Sequence, residues 1–168
     1  MRRARGSVQV FTFRDGVLAR AAHDLRLRLE AFEVGLDGEA VEATFDLRSL
    51  HVDGPMEGGV VRPERFGPGE RTDIERALRK EILHTDRAPT ARFEGRASPR
   101  GDGFAVAGQL ALAGRRAPAA FDVRREGALY RAAIDITPSR WGIAPYKALL
   151  GAIRLKDLVR IELALEEI

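Results

Sequence analysis

The sequence predicts a mostly β protein. Eight antiparallel strands form a closed barrel or a two-sheet sandwich, with a single amphipathic helix set among them. Three observations carry this. Apolar and polar residues alternate with period two over much of the 168 residues, as in strands with one dry and one wet face. Gly- and Asp-containing turn signals separate these stretches. Only one segment switches to a helical period. The strand count and the continuous meander favour the barrel, whose interior at eight strands is either filled by side chains or holds one small ligand.

The elements follow in order. The first strand covers 8–14 and ends at the turn pair Asp15-Gly16. In the second, Leu25, Leu27 and Leu29 alternate with Asp24, Arg26, Arg28 and Glu30; in the third, Val41, Ala43, Phe45 and Leu47 alternate with Glu42, Thr44, Asp46 and Arg48. Between Asp53 and Gly69, eight of 17 residues are Gly or Pro, which predicts a long loop of the kind that serves as a lid or binding loop. A helix is expected over 72–83. Ile74, Ala77, Leu78 and Ile82 share one helical face, Thr72 and Glu75 have capping-box spacing, and Glu75 and Arg79 can pair at i, i+4. Its apolar face needs a surface to cover, and the end of the barrel is the natural one. Further strands are expected at 90–98, 103–112, 117–125 and 128–137. An irregular stretch from Pro138 to Lys156 holds Trp141, Tyr146 and Leu149-Leu150, and the last strand alternates Val159, Ile161, Leu163 and Leu165 with Arg160, Glu162, Ala164 and Glu166.

Composition bounds the function. The length fits one domain spanning 1–168, and 45% hydrophobic with 32% charged residues is a folding composition. The chain has no cysteine, which excludes disulfides, thiolate catalysis and thiolate-bound metal. The sequence pI near 9.8 suggests nucleic acid, yet the net charge is only +3. Of 28 basic residues 25 are Arg, nearly balanced by 25 acids, and Arg stays charged where Lys has titrated. The balance gives little steering field, so no nucleic-acid partner is expected. The longest nearly unbroken apolar run, Ala148 to Ile153, is far short of the roughly 20 residues of a membrane span, so no stable membrane insertion is expected. Arg2, Arg3 and Arg5 are followed by an alternating strand rather than a hydrophobic leader. Cytoplasmic residence is the expectation if Met1 is the true start, and periplasmic residence if the chain begins earlier.

Chemical motifs are sparse. His23, His51 and His84 each have a nearby Asp but no ligand spacing, so no metal site is expected. Nucleophile elbows, zinc-protease helices and phosphate loops are absent from the sequence, and no catalytic residue or cofactor is assigned. Arg100-Gly101-Asp102-Gly103 reads as a hairpin turn. What remains is a set of inward apolar positions, among them Leu25, Leu27, Leu29, Phe45, Phe93, Phe104, Phe121, Tyr130, Ile134, Ile161 and Leu163. Under a helix and a loop they suit an apolar ligand.

Four stretches resemble the YceI-like family of lipocalin-like, polyisoprenoid-binding bacterial barrels, together running from about Val8 to Leu165. They are Val10-Phe11-Thr12-Phe13 with Val17-Leu18 and His23-Asp24-Leu25; Glu81-Ile82-Leu83 with Ala88-Pro89-Thr90-Ala91-Arg92-Phe93; Gly108 to Gly114 with Pro118; and Ser139 to Tyr146 with Leu155-Lys156-Asp157. The resemblance implies an eight-stranded lipocalin-like barrel with a helix over one end. It also implies non-catalytic binding of a polyisoprenoid, quinone or related lipid in the interior, often in a homodimer. On that reading Leu25, Leu27, Leu29, Phe45, Phe93, Phe121, Tyr130, Ile134, Ile161 and Leu163 form the wall. Trp141 and Tyr146 line the mouth, and His23 offers a donor to a headgroup. The rival expectation is a filled barrel that works through its surface.

Overall fold

The structure is a computed structural model that describes residues 2–16, 23–148 and 153–166. The pairs Val17-Leu18 and Leu149-Leu150 lie outside the described residues. The strands are β1 (Arg2–Arg3), β2 (Gly6–Arg14), β3 (Leu25–Leu29), β4 (Phe32–Asp37), β5 (Ala40–Asp46), β6 (Leu50–Glu57) and β7 (Val60–Val61). After the helical segment come β8 (Thr90–Arg100), β9 (Gly103–Leu112), β10 (Arg115–Glu126), β11 (Leu129–Ile136), β12 (Lys147–Ala148) and β13 (Ile153–Glu166). All pair antiparallel in one sheet of order β1-β4-β5-β8-β9-β10-β11-β13-β2-β3-β6-β7, with β12 on β13.

The sheet curls so that its two ends meet at one corner. The Glu30-Ala31 turn leads from β3 into β4. There the Glu30 N–H donates to Ser49 O at 3.3 Å and the Asp46 N–H donates to Ala31 O at 2.9 Å. Ala31 N–H donates to the Ser49 hydroxyl at 2.9 Å. The result is an antiparallel lipocalin-like barrel, open along part of its length, with the apolar face of every long strand turned inward.

The strand count corrects the expected eight. Ten described strands have five or more residues, and three have two. The two long strands missed are β4 and β6. β4 is short, with Gly35 interrupting Phe32, Val34 and Leu36. β6 is masked by Gly54-Pro55. A proline removes a ladder donor, so it is tolerated at sheet edges and bulges. Here only the two-residue β7 lies beyond β6, and the β3–β6 register shifts at Asp53, between the Leu27↔Val52 and Arg26↔Gly54 pairs. A Cβ on Gly54 would lie 3.0 Å from Pro63 Cα, so the missing side chain lets the chain fold back onto the strand. The expected long loop from Asp53 is therefore mostly strand and hairpin, and only 62–69 connects it to the helix.

The helix also differs in detail. α1 (Glu70–Ala77) is followed by a π-helical turn (Leu78–Ile82), so the helical span is close to that expected. The capping box does not form: Gly69, at φ 75°, is the N-cap without a side-chain bond. The Glu75 carboxylate instead accepts from Val52 N–H at 3.0 Å. Arg79 Nη2 donates to Leu50 O at 2.9 Å and Arg71 Nη2 to Asp53 O at 3.0 Å. Three helical side chains thus satisfy the outer edge of β6, which would otherwise present unpaired backbone groups. The expected Glu75–Arg79 pair is present at 3.7 Å. Ile74, Leu78, Ile82 and Leu83 pack on the core.

Candidate ligand-binding cavity

Period-two alternation sets which side chains reach the interior, and the helix decides which end of that interior stays open. Beneath α1 lies a cavity of about 420 Å³, within the usual range of small-molecule sites. Its wall is almost wholly aliphatic. Val8 and Val10 come from β2; Leu25, Leu27 and Leu29 from β3; Leu110 and Leu112 from β9; and Val159 and Ile161 from β13. Ile74, Ala77 and Leu78 roof it.

Seven residues assigned from the sequence line this cavity: His23, Leu25, Leu27, Leu29, Phe45, Tyr146 and Ile161. The other six are elsewhere on the inner face or in the packed interior. Phe93 and Phe121 pack together at 5.7 Å between ring centroids, in a second apolar cluster with Ala43, Ala97 and Val106. The Phe93 ring lies across the paired Gly95 and Gly108, because a Cβ on either would meet Phe93 Cζ at 2.7–2.8 Å. Tyr130 packs on Phe104 at 5.8 Å. Ile134 and Leu163 pack against the main core without lining the cavity. Trp141 is 2% exposed, and its Nε1–H donates to Leu110 O at 2.8 Å, so it is a core side chain rather than part of the mouth.

The residues missed were mostly legible. Val8 and Val10 alternate on the first strand, and Leu110 and Leu112 on β9. Leu47 extends the alternation of the third expected strand, whereas Leu50 follows the 3₁₀ turn Leu47–Ser49, across which no period applies.

Asp73, Ala144 and Lys156 are the exposed lining residues and, with half-buried His23 and Glu70, define the mouth. Two clasps cross it. His23 Nε2 lies 3.3 Å from Glu70 Oε1, beside Phe66 at 6.2 Å between rings, and Glu70 Oε2 also accepts from Gly67 N–H at 2.8 Å. On the other side, Tyr146 hydrogen-bonds Glu81 on the π-helical turn. Burial first, and then that carboxylate, raises the phenol above its ordinary pKa. The third wall of the mouth is a bulge in β13. Leu155 faces Arg14 and Val159 faces Thr12, so residues 156–158 stand opposite Phe13 alone. The bulge presents Lys156 and Asp157, and Asp157 is held by the Ser139 N–H at 2.9 Å and by the Ser139 hydroxyl.

The histidines do not converge. His51 lies 3.5 Å from Glu75 and 3.7 Å from Glu30 on the outer side of β6, while His84 follows the π-helical turn at φ 49°. Among the described residues no group of three His, Asp or Glu is placed to hold a metal, and no helix is long and apolar enough to cross a membrane.

Residues 5–167 match the profile of the YceI-like domain. The chain belongs to the YceI-like family. Solved structures with the same fold extend the comparison. Burkholderia cenocepacia BcnA is 16% identical, covers 97% of this chain and 96% of its own, and superposes with a TM-score of 0.63. A polyisoprenoid-binding domain from Saccharophagus degradans, implicated in plant cell wall breakdown, is 10% identical, with coverage of 97% and 95% and a TM-score of 0.59. The Campylobacter jejuni YceI protein is 12% identical over 84% of each chain, with a TM-score of 0.53. No curated protein sequence matches the chain. At these identities the YceI-like likeness carries the fold, and the cavity must carry the chemistry.

Proposed function

We propose that this YceI-like protein binds the hydrocarbon chain of a polyisoprenoid or similar lipid in the barrel, without catalysing a reaction on it. The observation that supports this is the aliphatic cavity of about 420 Å³ beneath α1. One structural relative is named as a polyisoprenoid-binding domain, which agrees with the same chemistry. Moving a chain from water into such a space is favourable by about 0.8 kcal/mol per buried methylene, before ordering costs. The filled-barrel alternative has less support, because the packed clusters leave the space beneath α1 unfilled.

The test is extraction of the purified protein with organic solvent and mass spectrometry of the extract, followed by titration of the delipidated protein with farnesol and geranylgeraniol. A bound apolar chain, or saturable binding of these alcohols, is the expected result. A protein that comes out empty and binds neither overturns the reading.

A further inference from the structure

The cavity has a polar feature that the hydrocarbon chain leaves unused. Thr12 lines it from β2, and its Oγ1 is fully buried with no hydrogen-bond partner among the described residues. A buried hydroxyl without a partner is costly. A single 120° step in χ1 carries the hydroxyl into the position that the methyl leaves, so the group can turn toward a ligand atom, and it can either donate or accept.

Charge then narrows the head that it can meet. The charged lining residues are Glu70, Asp73, Asp157 and Lys156, three carboxylates against one ammonium. Glu70 is committed to Gly67 N–H and His23, Asp157 to Ser139, and Asp73 lies 3.4 Å from Arg76. These bonds hold the carboxylates in place; Arg76 offsets Asp73, and the rim still carries one more carboxylate than it has cations. An anionic head entering here would lose hydration against an aliphatic wall and meet that negative rim.

Resting on the proposed lipid-binding reading, we infer that the cavity selects lipids with an uncharged, hydrogen-bonding head seated at Thr12. It disfavours the same chain carrying a carboxylate or phosphate. Thr12 supplies the recognition, and Glu70 and Asp73 supply the rejection.

The test compares three probes that share one chain: farnesol, farnesoic acid at pH 7.5, and the hydrocarbon farnesene, each titrated calorimetrically into delipidated protein. Farnesol is expected to bind at least about tenfold more tightly than farnesoate. Thr12→Val should weaken farnesol severalfold and leave farnesene unchanged, since valine keeps the shape and loses only the hydroxyl. The double variant Glu70→Gln/Asp73→Asn should narrow the gap between alcohol and acid, with circular dichroism confirming that both variants fold. Farnesoate binding as tightly as farnesol overturns the inference while leaving chain binding intact, and so does Thr12→Val weakening farnesol and farnesene alike. Failure of all three probes to bind removes the lipid-binding reading and this inference with it.

Discussion

At the scale of single residues, the inner face is divided by glycine as much as by bulk. Gly95 and Gly108 sit opposite each other on β8 and β9, and the Phe93 ring occupies the hollow they leave. A Cβ on Gly108 would lie 2.2 Å from Glu94 O and 2.6 Å from Gly95 Cα. Both are backbone atoms, so the strands must separate to admit it. Gly108→Ala is therefore expected to destabilise the protein by about 1–3 kcal/mol, the usual range for overpacking, read as a lower urea midpoint. Trp141 makes the complementary case. Its Nε1–H is bound to Leu110 O in a site almost without solvent. Trp141→Phe keeps much of the packing and removes that donor, so a loss of about 1–3 kcal/mol is expected by the same measurement. The family resemblance implies a place for Trp141 at the mouth, but its indole N–H is bound to a carbonyl inside the core.

At the scale of elements, the helix is held to the sheet by polar bonds as well as by its apolar face. Glu75, Arg79 and Arg71 serve three backbone groups on the edge of β6. Glu75→Ala should leave Val52 N–H without its acceptor, and faster amide exchange at Val52 is the expected signature. Unchanged exchange there would show that the helix does not protect this edge. The Tyr146 clasp adds a pH dependence. The folded phenol titrates above its ordinary value of 10.0, so its contribution to stability is fully present below about pH 10. That contribution is lost as pH rises through the folded value, because burial and Glu81 both oppose the phenolate. Stability measured from pH 8 upward should fall less steeply in Tyr146→Phe than in the parent protein. These same elements show where sequence reading works. The eight strands expected from alternation, three clear and five weaker, are all present, and Ile74, Ala77, Leu78 and Ile82 form the apolar face of the helix. The failures have physical causes. Gly54-Pro55 signals a turn in isolation, yet lies in a strand because a bulge and a sheet edge tolerate it. Thr72 and Glu75 have capping spacing, yet the β6 edge competes for the Glu75 carboxylate. Tertiary partners decide both, and no local window contains them.

At the scale of the whole molecule, one curled sheet supports two different interiors. Toward one end the aromatic cluster of Phe93, Phe104 and Phe121 fills the inner face, while toward the other α1 roofs an aliphatic space that side chains do not fill. Alternation marks both ends as inward and apolar, so from the sequence they look alike, and seven of thirteen assigned residues fell at the open end. Unfilled apolar space leaves its lining without dispersion partners, and an occupant restores them. Ligand and stability are then linked: a ligand that binds only the folded state at a hundred times its Kd adds about 2.7 kcal/mol. For a chain of this length that corresponds to a rise of about 5–10 °C in Tm. Farnesol is expected to raise the Tm in this concentration-dependent way. Ala91, which is 5% exposed and lines the cavity, offers the counterpart. Ala91→Phe places a ring where the chain would lie, so the variant's Tm should respond much less to farnesol. An equal response in both proteins would place the bound alcohol outside the barrel and remove the cavity from the explanation.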